Sequence, residues 1–508
     1  MDILASLSQG FAVALDPANL MYCFIGVLLG TIVGVLPGLG HSGTMAIILP
    51  LTFYFKDAGA IMLLAGIYYG SMYGGSTTSI LLNIPGEAPS IVTCIDGYQM
   101  HRKGRGGAAL GIAAFGSFIA GTVGVIGITF LSSVLTEWAL KFGPPEYFAL
   151  VMLGVALVTY LSQGSLLKGL IMVVLGMLIA TIGMDPMRGG ARYEFGTSYL
   201  LGGVDVIVIA MGMFALNEIL HMMVGPAETG EVIRPPKRLR ELLPNREEWK
   251  QSAMPIARGS VIGFLIGIIP GGGAILSTFA SYAIEKKLSK TPELFGTGMI
   301  AGVAGPESAN NGAAAGAFVP LMSLGIPSNV PAALLLGALM IHGITPGPMF
   351  MQMRPDVFWG VIASMYIGNV LLLILNLPLI GLFTRIAYVP VRLLVPILTF
   401  ICLVGVYLTG YDRYDILVMI IFGLFSFAAK LAGFQVAPFI FGFLLGPIVE
   451  TSFERSLTIS QGEFGIFVVS PISISVLAVA ALIWLAPLFS MLRRRLKGRS
   501  GGPLPITY

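Results

Sequence analysis

The sequence predicts an all-α polytopic membrane protein made of two inverted-topology repeats, with re-entrant helical hairpins, broken helices and about 11–14 membrane segments. Three observations predict it. Of the 508 residues, 56% are apolar and 11% charged, and mean hydropathy is +0.88; a soluble domain carries roughly 25% charged residues. Apolar stretches long enough to cross ~30 Å of hydrocarbon recur from end to end. The second half repeats the glycine and proline pattern of the first, in the same order. A cytosolic enzyme, a disordered chain and a small disulfide scaffold are excluded by this composition. The net charge of +4 gives no reason to expect nucleic acid as a partner. Cys23, Cys94 and Cys402 are scattered and form no CxxC pair, so they read as small buried hydrophobes. The start, MDILASLSQG, has no basic region before its first apolar stretch, so that stretch is expected to remain as a span.

In chain order, spans are expected near 18–36, 108–131, 146–162, 166–184 and 199–224. A second set is expected near 253–269, 358–383, 390–409, 414–429, 435–449 and 467–491. Between 41 and 100, and between 272 and 350, apolar pieces are short and interrupted by Gly, Pro, Ser, Thr and Asn. These read as half-helices and re-entrant hairpins. A hydrophilic stretch with Arg234, Lys237, Arg238, Arg240, Arg246 and Lys250 separates the halves. The expected organisation is an N-terminal repeat at 1–224, a basic linker at 225–252, a C-terminal repeat at 253–492 and a basic tail at 493–508.

The repeat rests on particular residues. GVLLGTIVGVLPGLG at 26–40 and GSVIGFLIGIIPGGG at 259–273 share one spacing of glycines and proline, 233 residues apart. Gly70, Gly74, Ile84, Pro85 and Pro89 match Gly312, Gly316, Ile326, Pro327 and Pro331 at 242, and Pro145 and Gly154 match Pro396 and Gly405 at 251. Charge gives the relative orientation, because Lys and Arg concentrate in cytoplasmic loops. The first 19 residues hold Asp2 and Asp16 but no Lys or Arg, which places them outside, whereas the linker that leads into the second copy is basic and reads as inside. Arg102, Lys103 and Arg105 follow the first hairpin, while the loop after the second has only Arg354. The C-terminal Arg493, Arg494, Arg495, Lys497 and Arg499 read as cytoplasmic. Equivalent loops thus fall on opposite faces.

The chemistry is expected where helices break. Pro37-Gly38-Leu39-Gly40 and Pro270-Gly271-Gly272-Gly273 free backbone groups at membrane depth, where only protein or a wet cavity can satisfy them. A freed helix N-terminus suits an anion, and freed carbonyls suit Na⁺. Ser76, Thr77, Thr78 and Asn83 in the first half, and Asn310, Asn311 and Ser328 in the second, are polar residues set in apolar sequence. With Gly38, Gly40, Gly271 and Gly273 they form the expected binding site for an anionic substrate. Asn83, Pro85, Asn310 and Pro327 are the expected cation positions, with Na⁺ or H⁺ as the ion. No Lys or Arg lies within these motifs, so an anion would need helix dipoles and a co-bound cation. Glu87, Glu307 and His41 read either as cation ligands or as caps and packing groups. Asn217, Glu218 and Lys430 read as snorkelling or interhelical pairs. No HExxH, Walker A, GxSxG or paired-carboxylate motif is evident, so no enzyme and no cofactor are expected.

GVLPGLG, GGSTTSILLNIPGEAPSIVTCIDGY, GFLIGIIPGGGAILSTFASYAIEKK and GIPSNVPAALLLGALMIHGITPGP resemble the large membrane subunit of the bacterial tripartite tricarboxylate transporters over almost the whole chain. The resemblance implies a small four-span membrane subunit and a periplasmic solute-binding protein as partners. It implies a di- or tricarboxylate substrate such as citrate, a bacterial inner-membrane location and a Na⁺ or H⁺ gradient as the driving force. It also implies a transport domain that carries substrate against a scaffold in elevator fashion. Two rivals remain: an organic-anion channel, and an intramembrane enzyme.

Overall fold

The computed structural model describes residues 3–36, 40–161, 165–185, 187–224, 239–386 and 389–496. Gly38 of the first break, residues 225–238 of the linker and 497–508 of the tail lie outside the described residues. The first half runs α1 (Ile3–Ala14), α2 (Pro17–Val35), α3 (His41–Ile48), α4 (Asp57–Leu82), α5 (Ile91–Arg102), α6 (Gly106–Ala139), α7 (Pro144–Leu161) and α8 (Leu166–Ala180). Two short strands, β1 (Gly183–Met184) and β2 (Ala191–Arg192), pair antiparallel before α9 (Val206–Ala210) and α10 (Asn217–Val224), which a π-helical turn joins. The second half opens with α11 (Leu239–Leu242), α12 (Arg246–Ile268), α13 (Gly273–Leu288), α14 (Ala301–Gly316), α15 (Phe318–Leu324) and α16 (Val330–Ile341). It continues with α17 (Phe350–Met353), α18 (Pro355–Asn376), α19 (Ile380–Ile386), α20 (Val391–Gly410), α21 (Arg413–Leu431), α22 (Ala437–Ile459) and α23 (Pro471–Leu496).

Eight helices among the described residues are long and apolar enough to cross a membrane: α2, α6, α7, the continuous stretch Val206–Val224, α12, α18, α20 and α21. Shorter apolar helices at Ile3–Ala14, Leu166–Ala180, Val330–Ile341 and Pro471–Leu485 complete an all-α polytopic membrane fold. Local sequence starts these helices where side chains can satisfy free N–H groups. Asp16 accepts from Ala18 N with Pro17 at the first helical position of α2. Asn245 and Glu248 cap α12 reciprocally.

The repeated glycines set the closest packing. Gly26, Gly30 and Gly34 of α2 lie against the carbonyls of Leu63, Ile67 and Ser71 of α4, and a Cβ at any of them would overlap backbone. Gly259, Gly263 and Gly267 of α12 lie in the same way against Gly305, Ala309 and Ala313 of α14. The absence of side chains lets the backbones touch, which is how helices associate where no hydrophobic driving force separates them from lipid.

The register of these contacts also gives direction. Pairing rises together along α2 and α4, along α12 and α14, and along α6 and α12, where Gly116 meets Ile256 and Gly124 meets Phe264. It rises together along α4 and α18, where Tyr69 meets Ser364 and Tyr73 meets Asn369. Along α6 and α18 it runs in opposition: Asn369 bonds Phe118 O, whereas Thr129 reaches back to Tyr366. The start of α6 and the end of α18 line one small void together. Helices α2, α4 and α18 therefore point one way, and α6, α12 and α14 the other.

Two sequence expectations change. The stretch 57–82 was expected as interrupted pieces, yet α4 is one helix of 26 residues that runs through Ser76, Thr77, Thr78 and Ser79. Gly70 and Gly74 do not break it, because each is seated against the backbone of α2. Residues 3–14 lie outside the expected spans, yet they form α1, whose Gly10 sits on the Trp359 carbonyl of α18.

Candidate functional site

Both hairpins turn at a residue in the left-handed region, at matching positions of the repeat. Asn83 ends α4 with φ 58°, and Gly325 ends α15 with φ 72°. Ile84 N then donates to Thr78 O at 3.4 Å, and Ile326 N to Pro320 O at 3.2 Å. These bonds satisfy helix-end carbonyls and turn the chain back. The tips that follow, through Pro89 and Pro331, lead into α5 and α16.

The tips, the second glycine break and the start of α3 that follows the first converge on one cavity of about 700 Å³. Its polar wall comprises His41 and Ser42 at the start of α3, Gly271, Gly272 and Gly273 at the start of α13, and Ala88, Pro89, Ser328 and Asn329 at the tips. Helices α3, α13 and α16 thus present their N-termini to the same space. Unpaired N–H groups and aligned peptide dipoles make each of these ends locally positive. The opposite wall is apolar and comes from Val158 and Leu161 of α7, Phe279 of α13 and Phe441 of α22, with Tyr160 and Gln435 as polar edges. Among the described lining residues there is no Lys, Arg, Asp or Glu. Gly271 N donates to Ser328 O at 2.8 Å, which ties the second break to the second tip. The Ser328 hydroxyl is buried and has no hydrogen-bond partner.

Two hydrogen bonds cross between the halves at equivalent positions. Asn329 of the second tip donates through Nδ2 to the Tyr68 hydroxyl of α4 at 2.7 Å. Asn310 of α14 donates through Nδ2 to Glu87 Oε1 of the first tip at 3.0 Å. Glu87 and Asn329 are the same position of the repeat, as are Tyr68 and Asn310, so each tip is pinned to the other half's long helix. Behind this wall lies a packed polar layer. The Ser76 and Thr93 hydroxyls donate to the two carboxylate oxygens of Glu307. Asn311 donates to Ser117 Oγ at 2.7 Å and to Glu307 O at 3.1 Å. Ser79 bonds Ser90 across the first hairpin at 2.9 Å.

The expected site residues separate accordingly. Gly271, Gly273 and Ser328 line the cavity, and Gly40, with φ 52°, precedes His41 on its wall. Ser76, Thr77, Thr78, Asn310 and Asn311 are buried in the polar layer beside it and do not line it. Asn83 is exposed at the first turn, Pro85 half-buried in the first tip, and Pro327 buried in the second. Gly38 lies outside the described residues. The structure adds Tyr68, Asn329, Tyr160, Phe279, Gln435 and Phe441. Asn329 stood within a motif already noticed, but an aromatic residue in an apolar helix gives no sequence signal. Away from the cavity, Lys430 Nζ lies 3.8 Å from Glu218 Oε2, the expected pairing between helices.

Comparison with known proteins places this architecture. The model of the tripartite tricarboxylate transporter TctA family matches residues 20–441. An uncharacterized 52.8 kDa protein in the TAR-I ttuC' 3' region of Agrobacterium vitis is 47% identical over 479 residues, covering 94% of this chain and 95% of that protein. A protein in the TAR-II ttuC' 3' region of the same organism is 44% identical over 233 residues, covering 46% of this chain and 96% of that protein. No solved structure matches. A multi-pass, all-helical chain matched by that family over most of its length belongs to the tripartite tricarboxylate transporter TctA family, as a membrane component of a transporter with partner subunits.

Proposed function

We propose that the chain is the substrate-translocating subunit for cation-coupled uptake of a di- or tricarboxylate across the bacterial inner membrane. The cavity carries this reading: three helix N-termini and two hairpin tips face about 700 Å³ whose described lining has no Lys or Arg. Such a site offers main-chain dipoles to an anion and leaves part of its charge to a co-bound cation, Na⁺ or H⁺. Family membership supports the substrate class. The periplasmic binding protein delivers substrate, and the small four-span subunit completes the complex.

The two halves are inverted repeats, with the N-terminus outside and the C-terminus cytoplasmic. The opposed run of α6 against α18 supports this, as do two contacts at the loops. Arg105, after the first hairpin, pairs with Glu248 of α12, while Arg354, after the second, pairs with Asp57 of α4 at 2.8 Å. The motion is of the elevator type, a reading supported by the cavity's position between the hairpin unit and the outer helices α7 and α22.

Proteoliposomes holding this chain, the small subunit and the binding protein test the reading. Labelled citrate or tartrate accumulates saturably under an imposed Na⁺ or proton gradient. Flux that never saturates and ignores both gradients identifies a channel and overturns the proposal.

A further inference from the structure

The cavity departs from its own two-fold pattern at two charged positions. Where the second half has Ala274 directly after its glycine break, the first has His41. Where the second tip has the neutral Asn329, the first has Glu87. These two departures meet: His41 Nδ1 lies 3.3 Å from Glu87 Oε2, and neither atom has a hydrogen-bond partner. Glu87 is buried behind the wall with its other oxygen held by Asn310, while His41 is on the wall itself. Among the described lining residues, His41 alone can become positively charged.

We propose that His41, backed by Glu87, is a proton site that couples to the anion, so that each carboxylate substrate enters the cavity together with one proton. This rests on reading the cavity as a carboxylate site. With His41 neutral, the pair carries the Glu87 charge alone and repels an anion. A proton from solution adds to the free ring nitrogen, the pair becomes neutral overall, and both ring nitrogens donate. Nδ1–H then bonds Glu87 Oε2, and the second N–H is left for the anion. When the anion leaves, the same proton leaves with it. Imidazole is the side chain suited to such exchange near neutral pH. Linkage makes the effect reciprocal: the anion raises the proton affinity of the pair, and the proton raises the affinity for the anion.

The surroundings of the pair leave this role to Glu87. Glu307 of α14, close enough to feel the Glu87 charge, has its oxygens held by Ser76 and Thr93. Glu285 of α13 pairs with Arg258, and Asp96 of α5 is held by Tyr282 and the backbone N–H groups of Gly296 and Gly298. The ring of Tyr68, from α4, lies 5.7 Å from the His41 ring. Glu218, beside Gly43 of α3, is engaged with Lys430. Helices α2 and α16 and the π-helical turn at 211–216 contribute no charged side chain. Asp57 sits at the far end of α4 and is held by Arg354. On α20, Arg392 lies at the opposite end from Gly405, which meets Ile47 of α3.

The test uses the full chain in lipid nanodiscs and calorimetric titration with L-tartrate, whose carboxyls, like ordinary ones of pKa roughly 3–4, keep it a dianion above about pH 6. Titrations in buffers of different ionisation enthalpy count the protons taken up. The wild type takes up about one proton per tartrate above neutral pH, and its affinity falls by about tenfold per pH unit there. His41→Gln takes up none, and its affinity is flat with pH. The wild-type proton count needs no variant, so a misfolded His41→Gln leaves the test intact. Tartrate binding without proton uptake, or uptake that persists in a folded His41→Gln, overturns this inference and leaves the carboxylate reading standing. Absence of saturable binding of both tartrate and citrate overturns the carboxylate reading and the inference with it.

Discussion

Asn83 shows what a single residue contributes at a hairpin turn. It holds the left-handed conformation that Gly325 adopts at the matching position. Asn visits this region more readily than Ala, because its short polar side chain can bond locally, whereas a Cβ without that help costs roughly 1–2 kcal/mol. Asn310 acts differently, by donating to the buried Glu87 carboxylate. Removing such a donor leaves an acceptor unsatisfied, at about 1–3 kcal/mol. Asn83→Ala and Asn310→Ala are each expected to abolish coupled uptake in proteoliposomes while the chain still assembles in the membrane. Wild-type uptake by both variants would show that neither the first turn nor the Asn310–Glu87 contact supports transport. Asn83 was legible because Asn-x-Pro-Gly is an unusual string inside apolar sequence. Tyr68 was not, since its partner Asn329 lies 261 residues away.

At the scale of helices, the glycine pattern was legible as a repeat but misread as a set of breaks. Glycine weakens a helix by about 1 kcal/mol relative to Ala when nothing else intervenes. In α4 the glycines instead let α2 approach, and the contact sustains the helix through the Ser-Thr-Thr-Ser run. The same geometry holds Gly263 of α12 against Ala309 of α14. Gly263→Leu is therefore expected to destabilise the fold by about 3 kcal/mol or more through overpacking. Val261→Leu, at an exposed position of the same helix, is the control that leaves stability unchanged. Thermal unfolding followed by fluorescence-detected gel filtration reads both variants. An unshifted midpoint for Gly263→Leu would contradict the close packing.

For the whole molecule, the reading of greatest consequence is that the halves are inverted. Arg102, after the first hairpin, and Met353, after the second, are both exposed. Arg102→Cys is expected to react with a membrane-impermeant maleimide only from the cytoplasmic face, and Met353→Cys only from the outer face. Intact spheroplasts and inverted vesicles separate the two, and labelling of both from one face would end the inverted arrangement. Composition and apolar run length sufficed for a helical, polytopic chain, since lipid leaves the backbone few other ways to satisfy its hydrogen bonds. Those are local or periodic properties, readable along a line. That Glu87 meets Asn310 across 223 residues, that His41 faces Glu87, and that Ser76 turns to Glu307 and not to the cavity arose only from how the two halves interlock. Helix packing settles such pairings through close backbone contact, and no local propensity encodes which distant side chain will lie opposite.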